Sequence, residues 1–154
     1  MNMADSKAFE SRDPGFQAKV RESFERQGLM KHLGAQLTEL RPGLCEIRVS
    51  FRDELSQQHG YFHGGVTGAI ADSACGYAAF SLMPPDHSVL AVEYKLNLLA
   101  PAQGDTLIAR GQVIRPGRTL TIARADVFVV KDGVENLCAT SLSTIMALAG
   151  KSDR

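Results

Sequence analysis

Apolar and polar residues follow two different periods along the 154-residue chain, and the period changes from one segment to the next. Apolar residues recur at helical spacing over residues 15–31, which predicts an amphipathic helix. Two-residue alternation over residues 34–40 and 45–51, with a Pro-Gly pair between them, predicts a β-hairpin. Later in the chain the two-residue alternation returns and predicts four long strands, over residues 92–98, 106–113, 119–131 and 137–148.

The segment from His63 to Leu82 follows neither pattern, because Asp72 is its only residue with a formal charge. Small and apolar residues fill the rest, and no proline occurs before Pro84, so we expect a helix about 30 Å long. A surface helix shows a polar face, and this segment has none, so the helix is predicted to be buried on most sides. One sheet covers only one side of a helix, so we expect a second subunit to complete the cover.

The order of elements predicts an α+β fold in which a long antiparallel sheet wraps around a central buried helix. The length of the chain suits one compact domain. We therefore assign residues 1–33 to an N-terminal extension with its helix, and residues 34–150 to the main domain.

Composition and charge exclude several classes of partner. The 17 basic and 17 acidic residues cancel and form no basic patch, which argues against nucleic acid. No run of about 18 lipid-compatible apolar residues occurs, which argues against a membrane. The N-terminus does not have the pattern of a signal peptide. Three widely spaced cysteines indicate reduced thiols and a cytoplasmic protein.

The first candidate functional residues lie at the start of the predicted central helix. A helix N-terminus offers unbonded backbone N–H groups, and glycine lets a ligand approach them closely. Gly64, with Gly65 beside it, is therefore a candidate for polarising a carbonyl group, although both glycines could instead serve close packing. His63 is interpreted as a cap that orients this loop, with a general base as the other possibility. His59 lies four residues earlier, but the intervening glycine argues against a helical metal site.

Asp72 is the candidate general base or nucleophile, because an isolated carboxylate in an apolar helix is costly unless it is used. A structural carboxylate held by backbone or serine groups is the alternative. Gln57 can donate from its amide group to a carbonyl or to water, or it can be an ordinary loop residue. Gln58 would take this role if the register were shifted by one.

The spacing of Gln57, His63-Gly64-Gly65 and Asp72 resembles that of the hotdog-fold acyl-CoA thioesterases. The similarity is to the phenylacetate-degradation type and to the related 4-hydroxybenzoyl-CoA type. That family has an amide residue six positions before the histidine and an acid nine positions after it. Some relatives carry a serine or threonine near the acid to hold water. Gly76 and Ala91 occupy those positions here, and Ser73 or Ser88 are possible substitutes.

The resemblance implies a thioesterase that hydrolyses acyl-CoA to a free acid and coenzyme A. Asp72 would then reach the His-Gly-Gly end of a second subunit, with Gln57 and Gly64 as its catalytic partners. It also implies a homodimer that pairs into a homotetramer, with no metal and no cofactor other than the coenzyme A of the substrate.

Candidate substrate contacts lie around the motif and at one later turn. Aromatic side chains beside the motif are candidates for an acyl pocket, with plain core packing as the alternative, and an arginine at the turn is a candidate for the coenzyme A phosphates. They are compatible with an aryl-acetyl or medium-chain acyl group. The full set of substrate-binding candidates is His63, Gly65, Gln58, Phe62, Tyr77, Arg118 and Thr119.

Two other functions remain open at this point. A hotdog enoyl-CoA hydratase would use a histidine and an acid around an enoyl thioester, and His63 and Asp72 are available. A non-catalytic acyl-CoA-binding module is the second alternative, because the expected serine or threonine near the acid is missing.

Overall fold

A six-stranded antiparallel sheet packs around one long helix in the computed structural model, which describes residues 9–151. The first eight residues of the predicted N-terminal extension and residues 152–154 lie outside the described residues. The fold confirms the predicted α+β class and the central helix. The helices are α1 (Phe16–Arg26), α2 (Gly28–Leu33) and α3 (Gly64–Phe80), and the strands are β1 (Gln36–Arg41), β2 (Leu44–Ser50), β3 (His87–Leu98), β4 (Thr106–Arg115), β5 (Leu120–Lys131) and β6 (Val134–Ala149).

The order of strands across the sheet is β1-β2-β4-β5-β6-β3. The strand that follows α3 in sequence therefore lies at an outer edge, paired only with β6. The predicted hairpin of β1 and β2 is confirmed. A second hairpin joins β5 to β6 through Asp132 and Gly133, which both have positive φ angles, as the Asp-Gly sequence predicts.

The largest differences from the predicted boundaries lie at the N-terminal helix and at the start of β3. The single N-terminal helix is wrong, because the extended backbone of Gln27 separates α1 from α2. Gly28 follows it, and glycine is a poor helix former. Strand β3 begins at His87 rather than at residue 92, since a bulge between Ala91 and Glu93 reverses the alternation that the sequence pattern relies on.

Helix α3 packs directly against the backbone of β4. A Cβ atom built on Gly111 would lie 2.3 Å from the backbone carbon and oxygen of Ala74 and 2.7 Å from the nitrogen of Cys75. Glycine is therefore required at this point of closest approach. The small side chains of Ala71, Ala74 and Ala78 are fully buried, so the uncharged character of the helix follows from its position in the core.

Helix α1 covers the C-terminal half of α3 and runs antiparallel to it. The Lys19 ammonium lies 4.6 Å from the ring centroid of Phe80, and Phe24 packs edge-on against Tyr77. At the end of α1, Gln27 accepts a hydrogen bond from the Ser73 hydroxyl. The N-terminal helix thus provides part of the cover that the sequence pattern assigned to a second subunit.

One stripe of α3 stays partly open in the single chain. It follows helical spacing along the N-terminal and middle turns, beyond the reach of α1. Its members are Gly65, Ala69, Asp72 and Gly76.

Replacing Gly111 with alanine is expected to destabilise the fold by about 1–3 kcal/mol, because the added methyl group would displace helix backbone rather than a side chain. Urea denaturation gives the free energy of unfolding. Gly28→Ala is the matched control, since a Cβ atom at Gly28 meets nothing within 4 Å. Equal midpoints for the two variants would show that α3 can move away from β4 at little cost.

Candidate active site

The first turn of α3 leaves one backbone donor unused. The His63 ring accepts a hydrogen bond at Nδ1 from the Gly65 N–H group, over 2.8 Å. The His63 carbonyl accepts from the N–H groups of Val66 and Thr67. The Gly64 N–H group has no acceptor among residues 9–151. It lies at the positive end of the helix, where a partial negative charge on a ligand is stabilised.

His63 acts as the cap of this helix, as its position predicts. Because Nδ1 accepts a hydrogen bond, a neutral His63 ring carries its proton on Nε2. A Cβ atom on Gly65 would lie 3.0 Å from that Nδ1 atom, so a glycine at this position leaves space for the His63 ring. With Nδ1 accepting the hydrogen bond of the cap and the proton on Nε2, the neutral His63 ring has no free lone pair with which to act as a general base.

Gln57 has a defined amide orientation in the loop before α3. Its Oε1 atom accepts hydrogen bonds from the backbone N–H groups of His59 and Tyr61. Only the oxygen of an amide can accept from N–H donors, so the Nε2 group is directed away from the loop backbone and remains a donor. Gln58 is exposed and makes no comparable contact in the described part of the chain.

Asp72 lies on the open stripe of α3, two turns after Gly64. Its Oδ1 atom is buried and has no hydrogen-bond partner within residues 9–151. Burial raises the pKa of this carboxyl group above its ordinary value of 3.8, since loss of water penalises the charged form. The carboxylate is therefore neither paired nor held, which is unlike a structural acid.

Gly64 and Asp72 of one chain do not meet. They are eight residues apart on a continuous helix, which separates them by about 12 Å along the axis. A thioester carbonyl and the atom that attacks it lie within a few ångströms of each other. One chain by itself therefore does not bring the two groups to the same carbonyl.

Four of the predicted substrate contacts are either buried in the core or far from the N-terminus of α3. Phe62 and Tyr77 are core residues of the single chain, with Phe62 packed edge-on against Phe51. Arg118 and Thr119 lie in the turn between β4 and β5, and Arg118 lines a small cavity beside the C-terminal end of α3. This turn therefore lies towards the opposite end of α3 from Gly64.

The two serines considered as substitutes for a water-holding group are both buried in the single chain. Ser73 directs its hydroxyl to Gln27, and Ser88 is buried opposite Leu148 near the start of β3. Gly76 supplies no side chain. Another residue must hold the water if the acid activates one.

The inner row of β3, which consists of Tyr94, Leu96 and Leu98, borders the first turns of α3 and was not among the predicted site residues. Leu98 is 62% exposed, yet one of its methyl groups lies 3.0 Å from a Cβ atom built on Gly64. In the sequence this row is indistinguishable from the core face of an ordinary strand. Only the edge position of β3 shows that it borders the helix and solvent together.

The antiparallel sheet around a single central helix, with a free N–H group at the helix start, is the hotdog architecture. The chain belongs to the thioesterase superfamily, whose family model matches residues 59–135. It is 48% identical to a thioesterase family protein from Silicibacter pomeroyi, with a TM-score of 0.87 over 88% of this chain and 100% of that one. The protein is a thioester hydrolase, and its relatives support acyl-CoA thioesters as the general substrate class.

Two further relatives are more distant. The chain is 26% identical over 118 residues to a 1,4-dihydroxy-2-naphthoyl-CoA hydrolase of Listeria monocytogenes, covering 77% of this chain and 94% of that protein. The PaaI protein of E. coli, from the phenylacetic acid degradation operon, shares 21% identity and a TM-score of 0.79 over 92% of this chain and 99% of that one. This second likeness shows the fold alone.

Two of the expected absences, a metal site and a membrane-spanning helix, can be compared with the structure of residues 9–151. No group of three or more His, Cys, Asp or Glu residues within 9–151 is arranged to hold a metal ion. None of the helices in that range is long and apolar enough to cross a membrane. The predictions that no metal, cofactor or membrane is involved stay predictions.

We expect Asp72→Asn to be more stable than the wild-type chain at pH 7. The folded state binds a proton at Asp72 more tightly than the unfolded chain, because burial raises the pKa from 3.8. The stability that proton binding at Asp72 contributes to the wild-type fold is complete below pH 3.8. It is lost as the pH rises through the raised folded-state pKa of this carboxyl group. The advantage of the asparagine variant should therefore shrink towards pH 3.8, as melting temperatures from pH 3.5 to 8 would show.

Asp126→Asn is the matched control for this measurement. Its carboxylate pairs with Arg124 and accepts a hydrogen bond from Thr140, so the asparagine should lower the melting temperature at pH 7. A lower melting temperature for Asp72→Asn at the same pH would mean that Asp72 has a stabilising partner.

Proposed function

We propose that this protein hydrolyses aryl-acetyl or medium-chain acyl-CoA thioesters in a site shared by two copies of the chain. The observation that carries the proposal is the unpaired Asp72 carboxylate, which lies on an open stripe of α3 and too far from the Gly64 N–H group of its own chain. A second copy that brings its own α3 to this stripe would complete the site.

In the proposed mechanism, the thioester carbonyl oxygen accepts a hydrogen bond from the Gly64 N–H group. Charge develops on this oxygen as the carbonyl is attacked, and a well-placed donor lowers such a barrier by about 3–4 kcal/mol. The free Nε2 group of Gln57, oriented by its backbone contacts, is the second donor on the same side.

Asp72 of the second copy acts from the other side of the carbonyl. As a general base, it takes a proton from water while the water oxygen forms a bond to the carbonyl carbon. The carbon–sulfur bond then breaks, and the coenzyme A thiolate takes up the proton. Direct attack by the carboxylate would instead give an acyl anhydride that water hydrolyses, and both routes use the same residues. A raised pKa favours proton transfer near neutral pH.

The edge strand β3 supports a homodimer. Its free edge is bordered by exposed apolar side chains, including Val92 at 52% and Leu98 at 62% exposure. An apolar edge strand is a liability in a single chain and an ordinary contact between subunits. Pairing of dimers into a homotetramer, and a cytoplasmic location, belong to the same proposal. So does activity without a metal or a cofactor other than the coenzyme A of the substrate.

The choice of acyl group is supported by the relatives and by the aromatic residues around the motif. The Listeria relative is named for a naphthoyl-CoA ester, and the E. coli neighbour belongs to a phenylacetic acid degradation operon. Phe62 lies directly before His63 but is buried in the core. Tyr61, in the loop that Gln57 organises, is partly exposed, and its ring is compatible with an aryl or medium-length chain.

Release of free thiol from a panel of aryl, short, medium and long acyl-CoA esters tests the proposed function. We expect Asp72→Asn to lower kcat at least about a hundredfold, the usual effect of losing a general base. A thioether analogue of the substrate should still bind with near wild-type affinity. Asp126→Asn, on the outer face of the sheet, is the control and should retain wild-type turnover. Binding without thiol release across the panel would instead favour an acyl-CoA-binding module, and loss of enoyl absorbance would favour a hydratase.

Co-expression of two inactive variants tests the shared site. A mixture of Asp72→Asn and Gln57→Ala chains contains heterodimers in which one site combines the intact Gln57 of one chain with the intact Asp72 of the other. Random pairing should restore about a quarter of wild-type activity, because half of the dimers each regain one of two sites. No recovery in a verified heterodimer would place both residues in the same subunit's site.

A further inference from the structure

The proposed mechanism leaves the attacking water without a holder in the described chain. Gly76 has no side chain, and the Ser73 hydroxyl is bonded to Gln27. A water molecule that is not held loses much of the advantage of positioning, so the general-base route calls for a hydrogen-bonding group near the acid.

Tyr94 brings a hydroxyl group to the correct side of α3. A Cβ atom built on Gly68 would lie 3.6 Å from the Tyr94 hydroxyl oxygen and 3.4 Å from a methyl carbon of Leu96. The hydroxyl therefore reaches the surface of the helix at Gly68. A larger residue than glycine at this position would occupy the space next to it.

Gly68 lies between Gly64 and Asp72 of the same helix, which belong to two different sites of the proposed dimer. It is four residues after Gly64 and four before Asp72. Residues four apart on a helix are separated by about 6 Å along the axis and about 40° around it, so they form one continuous surface. The inner row of β3 runs antiparallel along that surface, with Leu98 at Gly64 and Tyr94 at Gly68.

The Tyr94 hydroxyl is unpaired within the described part of the single chain. The side chain is 47% exposed, and its hydroxyl makes no hydrogen bond to another residue in the described range 9–151. Its neighbours in the inner row, Leu96 and Leu98, are apolar, so it is the one polar group that this row offers. A phenol can both donate and accept a hydrogen bond, which suits a group that holds water.

We propose that Tyr94 is a positioning residue that holds the attacking water for Asp72 of the same chain. This inference rests on the proposed thioester hydrolysis. The phenol takes the place of the serine or threonine that is missing at Gly76 and Ala91. No bond to Tyr94 is made or broken, and the water gives its proton to the carboxylate as before.

The test compares Tyr94→Phe with the wild-type homodimer on the best acyl-CoA ester of the panel. Phenylalanine keeps the ring over Gly68 and removes only the hydroxyl. We expect kcat to fall about tenfold, as for the loss of one hydrogen bond, with KM unchanged. The melting temperature and the dimer mass should also stay unchanged. Leu96→Met, a volume-conserving change against the same glycine, is the control and should retain kcat within about twofold.

The outcomes separate the inference from the function on which it rests. A Tyr94→Phe kcat within about twofold of wild type would show that the hydroxyl does not act on the water. Loss of kcat together with dissociation or a lower melting temperature would make Tyr94 a packing residue, and either result overturns the proposal. If the wild-type chain releases no thiol, the proposed function fails and the role of Tyr94 fails with it.

Discussion

The contact of α3 with the backbone of β4 at Gly111 is the constraint on which the rest of the structure depends. Helix and sheet can approach this closely only because one side supplies glycine and the other supplies alanines. The contact holds the helix axis against the concave face of the sheet. The direction of its N-terminus and the face that carries Asp72 both follow from that placement.

The rigidity of α3 also keeps two of the candidate catalytic groups of one chain apart. A straight helix keeps Gly64 and Asp72 about 12 Å apart, and no loop movement changes a distance fixed by backbone hydrogen bonds. Within residues 9–151, each chain therefore presents an unbonded N–H group and an unpaired acid at two separate points of one helix. Two copies with facing helices would form two complete sites, and in the proposed dimer catalysis and association would depend on the same surface of α3 and β3.

Much of the site could be predicted from the sequence, because it lies in one continuous segment. The free N–H group at Gly64 follows from helix-end chemistry, and the cap by His63 follows from its place just before the helix. Tyr94 could not be found in this way, since alternation along a strand shows which residues share a face but not what that face meets. The break at Gln27 was missed because the apolar spacing continues across it.

The sequence by itself determined the α+β class, the buried central helix, and the positions of the amide, the glycines and the acid along it. These depend on local periodicity and on backbone geometry that every helix shares. Only the tertiary structure decided that β3 lies at a free edge, that α1 covers the C-terminal half of α3, and that the Asp72 carboxylate remains unpaired. Strand order and side-chain pairing arise from contacts between residues far apart in the chain, which no local pattern encodes.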